Sequence, residues 1–233
     1  MQLKSPKENF LKSLSKHDAI SQFSLVRSID FISWSFVAFY SLILVTMQDI
    51  YFSTFPFLMN IPLFTLMYGA LKLPESYLPE KEWQFVVSRI RTFSTIGAFT
   101  FPFVIFVQLT HKSTYFALCC GLAVFSLMQI LIAVSEICRL ISVKFNEHVL
   151  ASEGKLAVRL IYVFAFLAVL IMSLYIIEPE FLRQLKERGL MDHVLKVAIL
   201  LLVFPLLFPV TLIFRIKFTL IRKYKENIRN RYD

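Results

Sequence analysis

Apolar residues in this chain fall into six long runs, and charged residues are almost confined to the segments between them. The runs are 31–47, 50–71, 92–110, 114–135, 160–177 and 197–214. At ~1.5 Å of rise per residue, each is about long enough to cross a hydrocarbon core of ~30 Å as a helix. The pattern predicts an all-α integral membrane protein with six transmembrane helices. Two of the joins permit only a reversal of direction: Gln48-Asp49, and His111-Lys112-Ser113. The first and second runs, and the third and fourth, are therefore expected to form antiparallel hairpins.

The polar segments carry a helical period of their own. Between the fifth and sixth runs, Pro179 and Glu180 suit a helix start, Phe181, Leu182 and Leu185 share a face, and Gly189 suits a stop. This predicts a short helix on the outer membrane surface. Before the third run, Pro79-Glu80 reads as a start, and Trp83, Val86, Val87 and Ile90 follow at i, i+3, i+4, i+7. After the fourth run, Ile137, Leu140, Ile141, Phe145 and His148 continue the pattern, predicting a helix that projects from the bilayer and ends near Gly154. Ile216, Leu220, Tyr224 and Ile228 recur every four residues after the sixth run, and residues 1–30 read as a further interfacial helix.

Charge gives this arrangement a direction. Segments 1–30, 72–91, 136–159 and 215–233 hold 5, 4, 4 and 7 Lys+Arg, together 20 of the 25 in the chain. The segments on the other side hold the remaining 5. The positive-inside rule then puts both termini in the cytoplasm (N-in/C-in). The net charge of +9 sits beside span ends, so its expected partner is anionic membrane lipid rather than nucleic acid. Arg222, Lys223, Lys225, Arg229 and Arg231 form the densest such group and are the lipid-binding candidates. A hydrophobic fraction of 57% leaves no room for a separate soluble domain, so residues 1–233 are read as one six-span transmembrane domain. The three cysteines, Cys119, Cys120 and Cys138, are poorly placed for bridges, and no Asn-x-Ser/Thr acceptor occurs. Both features suit a bacterial inner membrane.

No catalytic motif is present. The chain has no phosphate-cradling glycine loop, no H-E-x-x-H, no C-x-x-C and no nucleophile elbow, and His17, His111, His148 and His193 lie on both sides of the membrane. No catalytic residue, metal ligand or cofactor is assigned, and an intramembrane enzyme is disfavoured. Two features remain. The first is proline at mid-depth: Pro56 and Pro62 flank Asn60 in the second run, Pro102 is central in the third, and Pro205 and Pro209 lie in the sixth. A helical proline deprives the carbonyl four residues earlier of its donor, here Phe52, Leu58, Ala98, Leu201 and Pro205. Asn60, Pro62, Pro102, Leu201 and Pro205, with Glu136 at the cytoplasmic edge, are the candidates for a solute or ion path; simple kinks are the competing reading. The second is the apolar triplet Ile141, Phe145 and Val149, spaced i, i+4, i+8, as a docking stripe for another chain.

Small residues recur every four positions at Ser113, Ala117 and Gly121, at Ser94 and Ala98, and at Thr65 and Gly69, where helices can approach closely. The sequence thus points to a non-enzymatic membrane-embedded subunit. It would form a homo-oligomer, dock a cytoplasmic protein on its basic inner face, or both. The alternative is an ion channel or small-solute transporter built on the proline-broken helices.

Overall fold

The computed structural model describes residues 6–46, 58, 60–109, 114–177, 207–226 and 229. Among them every regular element is helical, with no strand. The helices are α1 (Pro6–Thr46), α2 (Asn60–Leu71), α3 (Lys81–Leu109), α4 (Thr114–Lys144) and α5 (His148–Ile177), with a 3-10 turn at Glu75–Tyr77 and a last helix, α6, over residues 207–226. Among the described residues two stretches are long and apolar enough to cross a membrane, Ser21–Leu42 in α1 and Gly121–Lys144 in α4. The chain forms two compact units, one of residues 1–130 and 214–233, the other of residues 131–213.

In the first unit, α1 buries Leu25, Ile29, Ile32, Phe36 and Phe39, a spacing of four and three residues that makes one stripe. Sequence reasoning divided this region at residue 30, into an interfacial helix and a span. The structure shows one helix of 41 residues. Arg27 and Asp30 precede the apolar run and do not interrupt the helix, and both lie off the buried stripe. Neighbouring helices run antiparallel. Against α1, α2 sets Gly69 beside Ile32 and Leu63 beside Phe39. Between α2 and α3, Phe64 meets Phe99 while Arg91 reaches Ala70. Between α3 and α4, Phe93 meets Phe125 and Phe103 meets Tyr115. The two expected hairpin pairings are therefore present. On α3, Trp83, Val86, Val87 and Ile90 are all buried, as their spacing predicted, and the helix runs unbroken from there to Leu109.

In the second unit, α4 and α5 form a tight hairpin. Here the structure corrects the expectation that α4 continues to Gly154. The helix ends at Lys144, and Asn146 takes a left-handed backbone with φ of 58°. The Glu147 N–H donates to the Ser142 carbonyl at 2.9 Å and the Asn146 N–H to Val143 at 3.1 Å. This pair of bonds is the Schellman closure, and asparagine tolerates the left-handed position it requires. The Glu147 carbonyl then accepts from Ala151 at 3.0 Å, opening α5. Gly154 lies inside α5 and allows the close approach: a Cβ there would stand 3.0 Å from Arg139 Cβ and 3.1 Å from the Ser135 carbonyl oxygen.

Candidate functional site

The residues proposed for a midplane path separate. Asn60 opens α2 and is buried, and its Oδ1 has no hydrogen-bond partner among the described residues. Pro62 lies in the first turn of α2, where a backbone N–H has no helical acceptor to lose. The residues of this run before Asn60, other than residue 58, lie outside the described residues. Pro102 does lie inside α3, and its ring leaves the Ala98 carbonyl without the usual i+4 donor. Leu201 and Pro205 lie outside the described residues. Glu136 is half-buried on α4 and is not a free carboxylate. Between α1, α2, α3 and α4, Phe39, Leu63, Phe101 and Leu127 enclose a void of about 10 Å³. That is at the lower limit for a single water, and its apolar walls offer such a water no partner.

The docking triplet is also divided. Ile141 is fully buried on α4, Phe145 stands in the α4–α5 connection, and Val149 is exposed on α5. They form no common stripe, because the helix they were to share ends at Lys144. In the tail, Arg222, Lys225 and Arg229 are exposed, Lys223 pairs with Glu226 at 3.3 Å, and Arg231 lies outside the described residues.

What the first unit does assemble is a set of polar links between helices. Arg91 on α3 donates to the Ala70 carbonyl at 3.3 Å and the Leu73 carbonyl at 2.6 Å, and pairs with Glu75. The last carbonyls of α2 have no intrahelical donors, and the guanidinium, with five N–H groups, reaches one of them, Ala70, together with the Leu73 carbonyl beyond the helix end and the Glu75 carboxylate. Trp83, fully buried, donates its indole N–H to the Pro74 carbonyl at 3.0 Å. Its ring lies 5.6 Å from that of Tyr77, and burial pushes the Tyr77 phenol up to about 12. Arg89 donates to Gln129 on α4. Lys217 on α6 pairs with Asp30 on α1, its Nζ 5.9 Å from the Trp34 ring centre and 5.8 Å from that of Phe214.

Asp30 directly precedes the apolar run at 31–47, a place where helix capping is account enough, and the apolar pattern singles out neither Arg89 nor Arg91. The signal available was the pair of charges inside the first helix, Arg27 and Asp30, each needing an account. Chemically these links are structural. Each joins two elements, and the described residues contain no group of three or more His, Cys, Asp or Glu side chains able to hold a metal. No family model matches the chain, and neither a curated protein nor a solved structure is similar to it.

Proposed function

We propose that the chain is a six-span membrane protein with both ends on the cytoplasmic side, working as a non-enzymatic subunit that assembles with itself or with a cytoplasmic protein. The observation that supports the membrane reading is the outer surface of the helices. Ile61 on α2, Phe99 on α3, Leu118 and Phe125 on α4 and Phe166 on α5 are between 51% and 70% exposed. In water such positions carry charge; in lipid they need none. Five hydroxyls agree. Ser33, Ser35, Thr100, Ser135 and Ser142 each donate to the carbonyl four residues earlier, at 2.6–2.8 Å. This satisfies them inside their own helix, as a hydrocarbon solvent demands.

Assembly is supported by a surface that replaces the divided triplet. Val149 and Leu156, seven residues apart on α5, are 66% and 50% exposed. They precede the apolar run at 160–177, among the basic residues Lys155 and Arg159. An apolar pair in the aqueous part of a helix fits contact with another chain. Two measurements test the reading. Cysteines placed at Asp49, His111 and Lys186 are expected to react with an impermeant thiol reagent from outside, and cysteines at Lys81, Lys155 and Asp233 are not. Labelling at Asp233 without labelling at Lys186 refutes the orientation. Light scattering in detergent is expected to give a mass above one chain, reduced by Val149→Asp with Leu156→Asp. A single-chain mass that neither substitution alters, with no partner retained, refutes the subunit reading. The alternative, a solute path, has one observation in its favour, the buried and unpartnered Oδ1 of Asn60.

A further inference from the structure

A cleft of about 200 Å³ opens between α1 and the end of α2. Arg27 and Lys72 line it, together with Ser24, Ser28, Phe31 and Tyr68. The two cations are held by the two rings: Arg27 Cζ lies 5.8 Å from the Phe31 ring centre, and Lys72 Nζ lies 5.6 Å from that of Tyr68. The rings themselves meet edge to face, 5.1 Å apart. This arrangement keeps two positive charges on one small opening, although like charges repel.

Three other basic residues of this unit are engaged by partners. Arg91 is bound to carbonyls and Glu75, Lys217 to Asp30, and Arg89 to Gln129. Arg27 and Lys72 have neither a carboxylate nor a carbonyl among the described residues. The serines do not neutralise them. Ser28 donates to the Ser24 carbonyl at 2.9 Å, and Ser24 donates to the Lys72 carbonyl at 3.4 Å, so both hydroxyls hold backbone. The unused donors are a guanidinium fork and an ammonium group, the set that recognises phosphoryl oxygens. The volume is several times the ~30 Å³ share of a water.

We propose that this cleft is a binding site for a phosphoryl anion, with the Arg27 guanidinium on two of its oxygens and the Lys72 ammonium on a third. A phospholipid headgroup and free phosphate share this chemistry. The lipid as source rests on the membrane reading above. Arg27 lies four residues before the apolar run at 31–47, and Lys72 follows the end of α2. Both then stand at headgroup depth, with the exposed rings of Phe23 and Tyr68 beside them.

The test uses the full chain in a non-ionic detergent, with native mass spectrometry after titration by phosphatidylglycerol, by diacylglycerol, or by inorganic phosphate. One phosphatidylglycerol per chain is expected to be held more tightly than diacylglycerol, which lacks the phosphoryl group. Arg27→Gln and Lys72→Gln are each expected to weaken it about tenfold, the scale of one charge-assisted hydrogen bond. Lys81→Gln, an exposed cation that does not line the cleft, should leave it within twofold. Inorganic phosphate bound with the same sensitivity to the two substitutions, while phosphatidylglycerol is not, upholds the site with free phosphate as its ligand. If the chain leaves the membrane on an alkaline carbonate wash, the membrane reading fails, and the phosphate titration alone decides the site. Equal retention of diacylglycerol and phosphatidylglycerol with no phosphate bound overturns the proposal. So does binding unchanged by Arg27→Gln and Lys72→Gln in variants that melt like the wild type.

Discussion

Replacing Gly69 tests whether α1 and α2 approach as closely as the structure shows. A Cβ at this position would stand 3.0 Å from Ile32 Cγ1, 3.0 Å from Phe31 Cβ and 3.1 Å from the Ser28 carbonyl oxygen. Carbon contacts are most favourable at ~3.5–4.0 Å, so the two helices must part by about half an ångström to admit even a methyl group. Two of the obstacles cannot rotate away, since one is a Cβ and the other a backbone oxygen. Gly121 supplies the control: it too lies inside a helix, and a Cβ there meets nothing within 4 Å. Gly→Ala inside a helix gains about 1 kcal/mol from propensity, while overpacking costs about 1–3 kcal/mol. Gly69→Ala should therefore be neutral or weakly destabilising, and Gly121→Ala stabilising by up to about 1 kcal/mol. Gly69→Leu should lose about 2–3 kcal/mol, and Gly121→Leu almost nothing. Equilibrium unfolding in mixed detergent micelles, followed by circular dichroism, measures all four. Ile32→Ala removes one of the three obstacles, so its cost should fall in the Gly69→Ala background, a coupling of at least ~0.5 kcal/mol. Equal shifts for Gly69→Leu and Gly121→Leu, or no coupling to Ile32, would refute the close approach.

Three further outcomes are expected. Asp30→Asn and Lys217→Gln should each destabilise by about 1–2 kcal/mol, between the values for exposed and buried pairs. The double variant should cost less than the two together, which a double-mutant unfolding cycle reads directly. Tyr77, whose phenol burial pushes up to about 12, stays neutral in the folded chain while the unfolded phenol ionises near 10. Its contribution is present below pH 10 and lost as the pH rises through about 12, a fall of about 2–3 kcal/mol that Tyr77→Phe should remove from an alkaline unfolding series. Asn60→Leu deletes a buried oxygen that lacks a partner and should raise stability by about 1–3 kcal/mol without changing ion flux in liposomes; loss of a flux seen with the wild type would instead establish the solute path.

The readings that held were those in which one helix carries its own signal. Trp83, Val86, Val87 and Ile90 are four positions on one face, and a face with that much apolar area is buried whatever lies opposite. The antiparallel pairs α1/α2 and α3/α4 follow from chain direction alone. The projecting stripe failed for a local reason that the sequence does contain. Asn146 is the residue type, after glycine, that best tolerates a left-handed closure, yet an unbroken four-residue spacing of Ile141, Phe145 and Val149 conceals it. Pro62 was weighed by its depth in an apolar run. Its effect depends on where the helix begins, and in the first turn of α2 its missing N–H costs that helix no bond.

The polar links were illegible for a different reason. Asp30 and Lys217 are 187 residues apart in sequence, and for each alone a place at a span end is account enough, by capping or by snorkelling. Only the packing of α6 along α1, with Trp34 against Phe214, makes them a pair. That packing alters what the charge asymmetry means. Counting 20 basic residues on one side treats them as equivalent, but Arg89, Arg91 and Lys217 are engaged inside the chain and are not available to lipid. The orientation argument concerns where charge lies during insertion and does not depend on these pairings. The affinity argument does not carry over residue by residue. It falls on the cations that folding leaves without an anion, and among the described residues of the first unit Arg27 and Lys72 are two such cations, set on a single cleft.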